Sequence, residues 1–386
     1  MRSNLPLFLG FKEIWRNKAR FALVIGVVTL ITVLVLFIAA LSEGLGAGNR
    51  EYIATLDAEL LVYQEAADLT IGASQMPANL TRSLRRVEGV AAVGPVGFST
   101  GSVVRVGEPL DVALIGVQPG QPGVPPVREG VTFSRPNARE AIIDANVAEQ
   151  AGFKLGDLIT VRSVQGEDEN SYQVRVVGIA PSRKYGIQPS IMLPADTWER
   201  VRAKPAIADV QGAPAFNVAA VRLSDPQQRE AVAARIAGRV KDVVAVDLKT
   251  AYENTPGYTA QQSTLSTQSG FTLLIGLLVI GGFFQIQAIQ KIAQIGMLKA
   301  IGASNRTVAA AFIFQVVIIT TIGVLVGALA AFGLSLALPS VVPVQFEPAQ
   351  VLTAVLLLLA IGPIGGAVAV RSLLKVEPLT ALGLTS

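Results

Sequence analysis

Four long stretches of this chain carry no Asp, Glu, Lys or Arg: residues 21–41, 271–289, 308–338 and 351–370. Each holds 19 or more residues. About 20 apolar residues in an α-helix cross the ~30 Å of hydrocarbon in a bilayer. Backbone amides and carbonyls meet no water at that depth, so spans of this kind are helical. The whole chain agrees. Of its 386 residues 51% are apolar and 16% charged, and the mean hydropathy of +0.51 is too high for an ordinary soluble protein. The expected fold class is a membrane protein: an α-helical four-span bundle with a large extracytoplasmic α+β domain inserted between spans one and two. The first stretch also has the basic flank and apolar core of a signal peptide. Its 21 uncharged residues exceed the usual ~7–15 of such a core, and no A-x-A site follows closely. It is read as a retained span.

Charge sets the expected orientation. Arg2, Lys12, Arg16, Lys18 and Arg20 precede the first span, with Glu13 the one acid. Lys291, Lys299 and Arg306 lie between spans two and three with no acid. Arg371 and Lys375 follow span four, with Glu377. Residues 42–268 hold 22 basic and 25 acidic residues. Basic loops stay on the cytoplasmic side. The chain is therefore expected to be a multi-pass protein of the cytoplasmic (inner) membrane, with both termini and loop 290–307 inside and 42–268 outside. The overall basic character, net +4, is a topology signal, and no nucleic-acid partner is expected.

The expected organisation is an interfacial helix over 1–20, spans at 21–41, 269–289, 308–338 and 351–370, the outer domain 42–268, the cytoplasmic loop 290–307, a short outer loop 339–350 and a cytoplasmic tail 371–386. In LPLFLGFKEIWRNKAR (5–20), Leu7, Phe8, Phe11, Ile14 and Trp15 recur at helical spacing among basic residues. That suits a helix lying on the inner leaflet, or simply the start of the first span. The outer domain exits through SEGLGAGN (42–49). Strand-like runs follow at 58–63, 103–106, 111–117, 141–143, 158–164 and 172–179, and helical ones at 79–87, 146–151 and 226–240. A Pro-rich stretch at 118–126 is expected to divide the domain into two lobes. Gly323-xxx-Gly327-xxx-Ala331 places small residues four apart, a spacing that lets helices approach closely in lipid. Gln285 and Gln287, inside span two, call for a bundle interior or helix interface.

The chemistry that is missing narrows the function. The chain has no histidine and no cysteine, so the commonest general base, the commonest metal ligand, thiolate sites and disulfides are all excluded. No G-x-x-x-x-G-K-[ST], H-E-x-x-H or G-x-S-x-G motif occurs. The acidic run Glu167–Asp168–Glu169 sits beside Gly166 and Asn170 and reads as a solvated turn. No enzyme, intrinsic cofactor or metal site is expected. Uphill movement would need energy from another subunit or an ion gradient. Gradient-driven carriers usually have repeats and intramembrane charges, which this chain lacks.

Between spans two and three, Ile292, Ile295, Leu298 and Ile301 fall at helical spacing beside Lys291 and Lys299, and Gly296 and Gly302 break or cap the helix. Such a segment suits an apolar strip offered to a partner protein, or a connector packed on its own bundle. QKIAQIGMLKAIGASNRTV (290–308) resembles the loop of the FtsX/MacB-type permeases, the membrane subunits of type VII ABC transporters, whose pattern is close to K-x-x-EIG-x-LKAIGAS. Gln294 stands where many relatives have Glu, which removes one possible salt bridge. The order of one span, a large outer domain and three spans agrees over the whole chain. AIIDANVAEQAGFKLGDLITVRS (141–163) and SYQVRVVGIA (171–180) resemble the family's small outer lobe.

The resemblance implies two copies of the chain and two ATP-binding ATPase subunits below them. Ile292, Gln294, Ile295, Gly296, Leu298, Lys299, Ile301 and Gly302 would dock into the ATPase. Its closure would shift spans one and two and the outer domains, extruding a substrate from the outer leaflet by mechanotransmission. LGFKEIWRNKARFALVIGVVTLITVLVLFIAALSEGL (9–45) is similar to the DevC-like branch, which also holds HrtB haem-export permeases. Haem leads as the substrate. Without histidine or cysteine its ligands would be Met, Tyr, Glu or Lys, with Glu43, Glu51, Tyr52, Met76 and Tyr258 the candidates. Headgroup-level charge, interfacial anchoring and core packing explain the same five residues equally simply. The alternatives left open are an FtsX-like regulator of an outer protein, DevC-type glycolipid export with a periplasmic adaptor, LolC-type lipoprotein release, and a membrane-anchored receptor.

Overall fold

The structure, a computed structural model, describes residues 18–104, 109–203, 216–300, 302–339 and 342–374. The interfacial segment before Lys18, strand residues 105–106, Ile301, the Leu298 side chain and the tail from 375 onward lie outside them. The chain forms two compact units, Met1–Gly44 with Gln262–Ser386, and Leu45–Gln261.

The first unit is helical. Its helices are α1 (Lys18–Ala54), which runs on into the second unit, α7 (Tyr258–Gln290), which begins there, α8 (Ile292–Ala300), α9 (Asn305–Ala337) and α10 (Pro348–Leu374). All but α8 are long and apolar enough to cross a membrane. Phe284, Phe312, Ile319 and Leu358 lie in the shared core, while large apolar residues such as Leu30, Leu329 and Leu336 face outward. An outward apolar face costs nothing in lipid, so the inner face is packed by fit. Gly323 lies against Val28 and Gly327 against Thr32; a Cβ on Gly327 would fall 2.5 Å from the Thr32 Cβ. Gly362 meets Thr320 in the same way. The small-residue spacing therefore marks true helix contacts. Gln287 is interior, 2% exposed, and neither polar atom of its side chain finds a hydrogen-bond partner among the described residues. Helix α9 starts at Ser304, whose Oγ accepts from the Thr307 amide at 3.2 Å, satisfying one orphan donor of the first turn.

The second unit is α+β. One ten-stranded sheet is made of β1 (Leu60–Gln64), β2 (Val90–Val104), β3 (Leu110–Val117), β4 (Glu129–Gly130), β5 (Glu140–Asp144), β6 (Leu158–Gln165), β7 (Asp168–Ala180), β8 (Ser190–Pro194), β9 (Val218–Leu223) and β10 (Val243–Asp247). The order is β10-β1-β9-β2-β3-β8-β5-β7-β4, with β6 pairing β2 and β7. Short helices α2 (Leu80–Arg85), α3 (Ala145–Ala151), α4 (Ala195–Val201), α5 (Arg229–Arg239) and α6 (Leu248–Glu253) complete it. The Pro-rich stretch does not divide the sheet. β3 continues in parallel into β8, and 118–126 folds back so that Pro122 lies against Gly94.

Strand β2 is the longest element that the alternation of residue types does not reveal. Gly94, Pro95 and Gly97 read as turn residues. The glycines are there because other groups come too close for a side chain: a Cβ on Gly97, or on Gly116 of β3, would fall 2.4 Å from the Trp198 ring. The Trp198 indole N–H donates to the Leu114 carbonyl at 3.0 Å, as a buried indole must. The acidic run falls at the β6–β7 hairpin, where Gly166 takes φ +69°, as that turn requires.

Candidate functional site

Helix α8 is the connector between α7 and α9. At its start the Lys291 Nζ donates to the Gln315 Oε1 at 2.8 Å and lies 5.5 Å from the Phe312 ring centroid, which ties the elbow to α9. At its end Gly302 takes φ +95° and its amide donates to the Lys299 carbonyl at 3.0 Å. This is a left-handed stop of the kind glycine favours.

Between those ends the apolar strip divides. Ile295 is 6% exposed and belongs to the core of its own bundle. Gly296 is buried beside it, and Ile292 and Lys299 are half-buried. Ile295 and Gly296 therefore pack toward their own bundle. Among the described side chains of α8 the outward ones are Gln294 and Met297, the latter 60% exposed. Met297 lies two residues, about 200°, around the helix from Ile295. Spacing could not say which face turns inward, because both carry apolar residues.

A second feature of the first unit is a recess of about 340 Å³ between α1, α7 and α10. Val35, Ala39, Leu273, Ala354 and Leu357 supply apolar walls, and Gln350, Ser269 and Thr353 its polar groups. One helical turn beyond Ala39, Glu43 is 6% exposed, and its carboxylate accepts from the Gln350 amide. An apolar recess with the Gln350 amide on its wall, backed by the Glu43 carboxylate, suits a molecule with a greasy body and a polar head. Gln350 was not among the residues singled out from sequence; it is one polar side chain in a helix start.

The other four candidate ligands lie in the second unit and do not converge. Glu51 accepts from the Ser182 hydroxyl at 2.5 Å and the Lys184 amide at 3.1 Å. Tyr52 is buried, donates to the Gly123 carbonyl at 2.9 Å and packs edge-on against Phe98. Met76 is wholly buried, bridged through its backbone to Phe216 in a core cluster with Leu84 and Val93, different from that of Tyr52. Tyr258, at the start of α7, packs against Tyr252 at 5.8 Å. Tyr52 and Met76 thus serve the packing of the unit as it stands. Nearby, burial pushes the Asp144 carboxyl above the ordinary carboxylate range, opposed by bonds from the Val147, Ser190 and Arg183 amides and the Asn146 side chain. Among the described residues no three His, Cys, Asp or Glu side chains group as metal ligands would.

Comparison with known proteins is consistent along the chain. Residues 21–239 match the MacB-like periplasmic core domain, and residues 267–378 the FtsX-like permease C-terminal domain. A putative hemin transport system permease protein HrtB of Staphylococcus haemolyticus is 22% identical over 97% of this chain and 99% of its own. An uncharacterised ABC transporter permease of Mycobacterium tuberculosis is 22% identical over 98% and 99%. Among solved structures, the periplasmic region of MacB from Actinobacillus actinomycetemcomitans covers 53% of this chain and 97% of its own, at 14% identity and TM-score 0.36. The extracellular domain of the transporter YknZ covers 49% and 100%, at 18% identity and TM-score 0.35.

Proposed function

This chain belongs to the family of FtsX/MacB-type ABC transporter permeases, and from that premise we propose that it is the membrane subunit of an exporter that removes an amphipathic, membrane-partitioned molecule. Energy comes from a separate cytoplasmic ATPase, two copies of which act on two copies of this chain through α8. The substrate leaves the outer leaflet by movement of the extracytoplasmic unit.

The observation that carries this reading is the apolar recess lined by Gln350, whose amide is bonded to the buried Glu43 carboxylate. A carboxylate buried behind an apolar recess is costly unless it is paired. Gln350 pairs it here, and the head of an entering amphiphile could take over that role. Haem is the first substrate to test: it has a flat apolar body and a metal centre, and the HrtB relatives are named for hemin transport. With no histidine or cysteine in the chain, a carboxylate such as Glu43 would be an available ligand type.

Hemin titration of the purified chain in nanodiscs tests this by absorbance. A saturable Soret shift is expected, weakened at least tenfold by Glu43→Ala with Gln350→Leu. No shift in the parent chain removes haem as substrate. A shift that both substitutions leave unaltered removes the recess as its site.

A further inference from the structure

Nine residues, 181–189, connect β7 to β8. Tyr185 and Gln188 close this turn through their own amides and carbonyls, at 3.0 and 3.1 Å. The segment does not stop there; it grips the last turns of α1 at several points. The Ile187 amide donates to the Gly48 carbonyl at 3.0 Å, and the Tyr52 amide donates to the Lys184 carbonyl at 3.2 Å. Gly48 and Tyr52 are four apart, so that carbonyl and that amide are the two ends of one i→i−4 helical bond. The segment offers each end an outside partner, an insertion of the kind that hinges helices.

Three further observations single this place out. The Glu51 carboxylate, from the same helical turn, accepts from the Ser182 hydroxyl and the Lys184 amide. Ile187 holds φ +69°, a left-handed conformation that a β-branched side chain rarely adopts. Gly48 runs close to it: a Cβ there would fall 3.1 Å from the Ile187 Cα. Backbone strain of this kind gathers where the surrounding structure has a task for it.

The other side of the segment is anchored in the sheet. Asp144, at the end of β5 and fully buried, accepts from the Ser190 amide at 3.1 Å and the Arg183 amide at 3.4 Å. Asn146 donates to the Ser182 hydroxyl at 2.8 Å, and the Tyr185 ring lies 4.4 Å from Phe98 of β2. The segment is thus held at one face by the helix end and at the other by β2, β5 and β8.

We propose that residues 181–189 are a clasp through which displacement of α1 is delivered to β7 and β8, with Glu51 the positioning residue that sets its grip. This rests on the reading of the chain as an ATPase-driven permease. It also gives Glu51 a task other than ligation: its carboxylate is committed to Ser182 and Lys184.

The test uses the full chain with its ATPase in nanodiscs. It follows amide hydrogen exchange of β7 and β8 peptides with and without ATP and vanadate. The parent complex is expected to show at least a threefold nucleotide-dependent change. Glu51→Ala is expected to abolish that change while ATP hydrolysis stays within twofold. Glu51→Gln keeps an acceptor oxygen and should keep the response. Because the chain has no cysteine, Gly48→Cys with Ile187→Cys adds the sole thiols. A Cβ at position 48 lies 3.6 Å from the Ile187 Cβ, within the disulfide range of about 3.5–4.5 Å. Added to Glu51→Ala, this disulfide should restore the response when oxidised and lose it when reduced, a rescue that a merely misfolded variant could not give. A full response in Glu51→Ala, or no rescue by the formed disulfide, overturns the clasp. A parent chain that neither binds nor stimulates an ATPase overturns the permease reading, and the clasp with it.

Discussion

Met297→Asp is expected to lower ATP hydrolysis by the assembled complex at least tenfold while the permease itself stays folded. Met297 is a large apolar residue that α8 turns outward, and methionine adapts well to a partner groove. A carboxylate there rests in water until docking, when it must be stripped of water without a partner. That cost readily exceeds the ~1.4 kcal/mol of a tenfold loss. Ile295→Asp, two residues away, should behave differently. Ile295 lies in the bundle core, so the same substitution places an unpaired charge inside the fold and should prevent accumulation of the chain in the membrane. Gly296→Asp belongs with Ile295, because Gly296 is buried. The pair is read by co-purification with the ATPase and by yield of the folded chain. A folded Met297→Asp protein with unchanged ATPase stimulation would show that α8 does not dock through this face.

Gly327→Leu should have the largest effect on the bundle. A Cβ at 327 would fall 2.5 Å from the Thr32 Cβ, 2.8 Å from its Cγ2 and 2.9 Å from the Thr29 carbonyl oxygen. None of these is the far end of a flexible chain. Threonine is stiff at χ1, and its hydroxyl is already bonded to the Val28 carbonyl at 2.8 Å. The helices must therefore separate along the α1–α9 contact. Overpacking of this kind costs about 1–3 kcal/mol in ordinary cores, and a backbone neighbour places this site at the upper end. Denaturation of the purified chain in detergent should show a clearly lowered midpoint. Gly333→Leu is the control: a Cβ at that position has nothing within 4 Å, and glycine is a poor helix former, so the midpoint should hold or rise. Equal losses at both positions would mean that the small-residue stripe carries no packing role.

Much of the architecture could be read from residue types alone, and the misses have physical causes. Spans without charge announce themselves because lipid tolerates little else. Helices α1 and α7 run past those spans into polar sequence, such as YTAQQSTLSTQ at the start of α7, because helix propensity does not need apolarity. β2 was hidden because its glycines accommodate Trp198 and Pro122 rather than turns. The helical character of α8 was legible in its spacing, but the facing of Ile295 depends on helices distant in sequence. The five candidate ligands were chosen by chemical type near an expected membrane surface. Type says nothing of partners: Tyr52 is committed to the Gly123 carbonyl, Met76 to a core and Glu51 to Ser182. Glu43 is bonded to Gln350, which lines a recess of the same unit and lies 307 positions along the chain.

Every step of this account requires α8 to sit in the cytosol and the sheet to sit outside. The chain's lack of cysteine makes that directly measurable, with Met297→Cys and Ser171→Cys made singly and exposed in intact cells to a maleimide that cannot cross membranes. The account predicts that position 171 labels at once and that position 297 labels only after the cells are permeabilised. Labelling of 297 in sealed cells, or protection of 171 until they are opened, would contradict it.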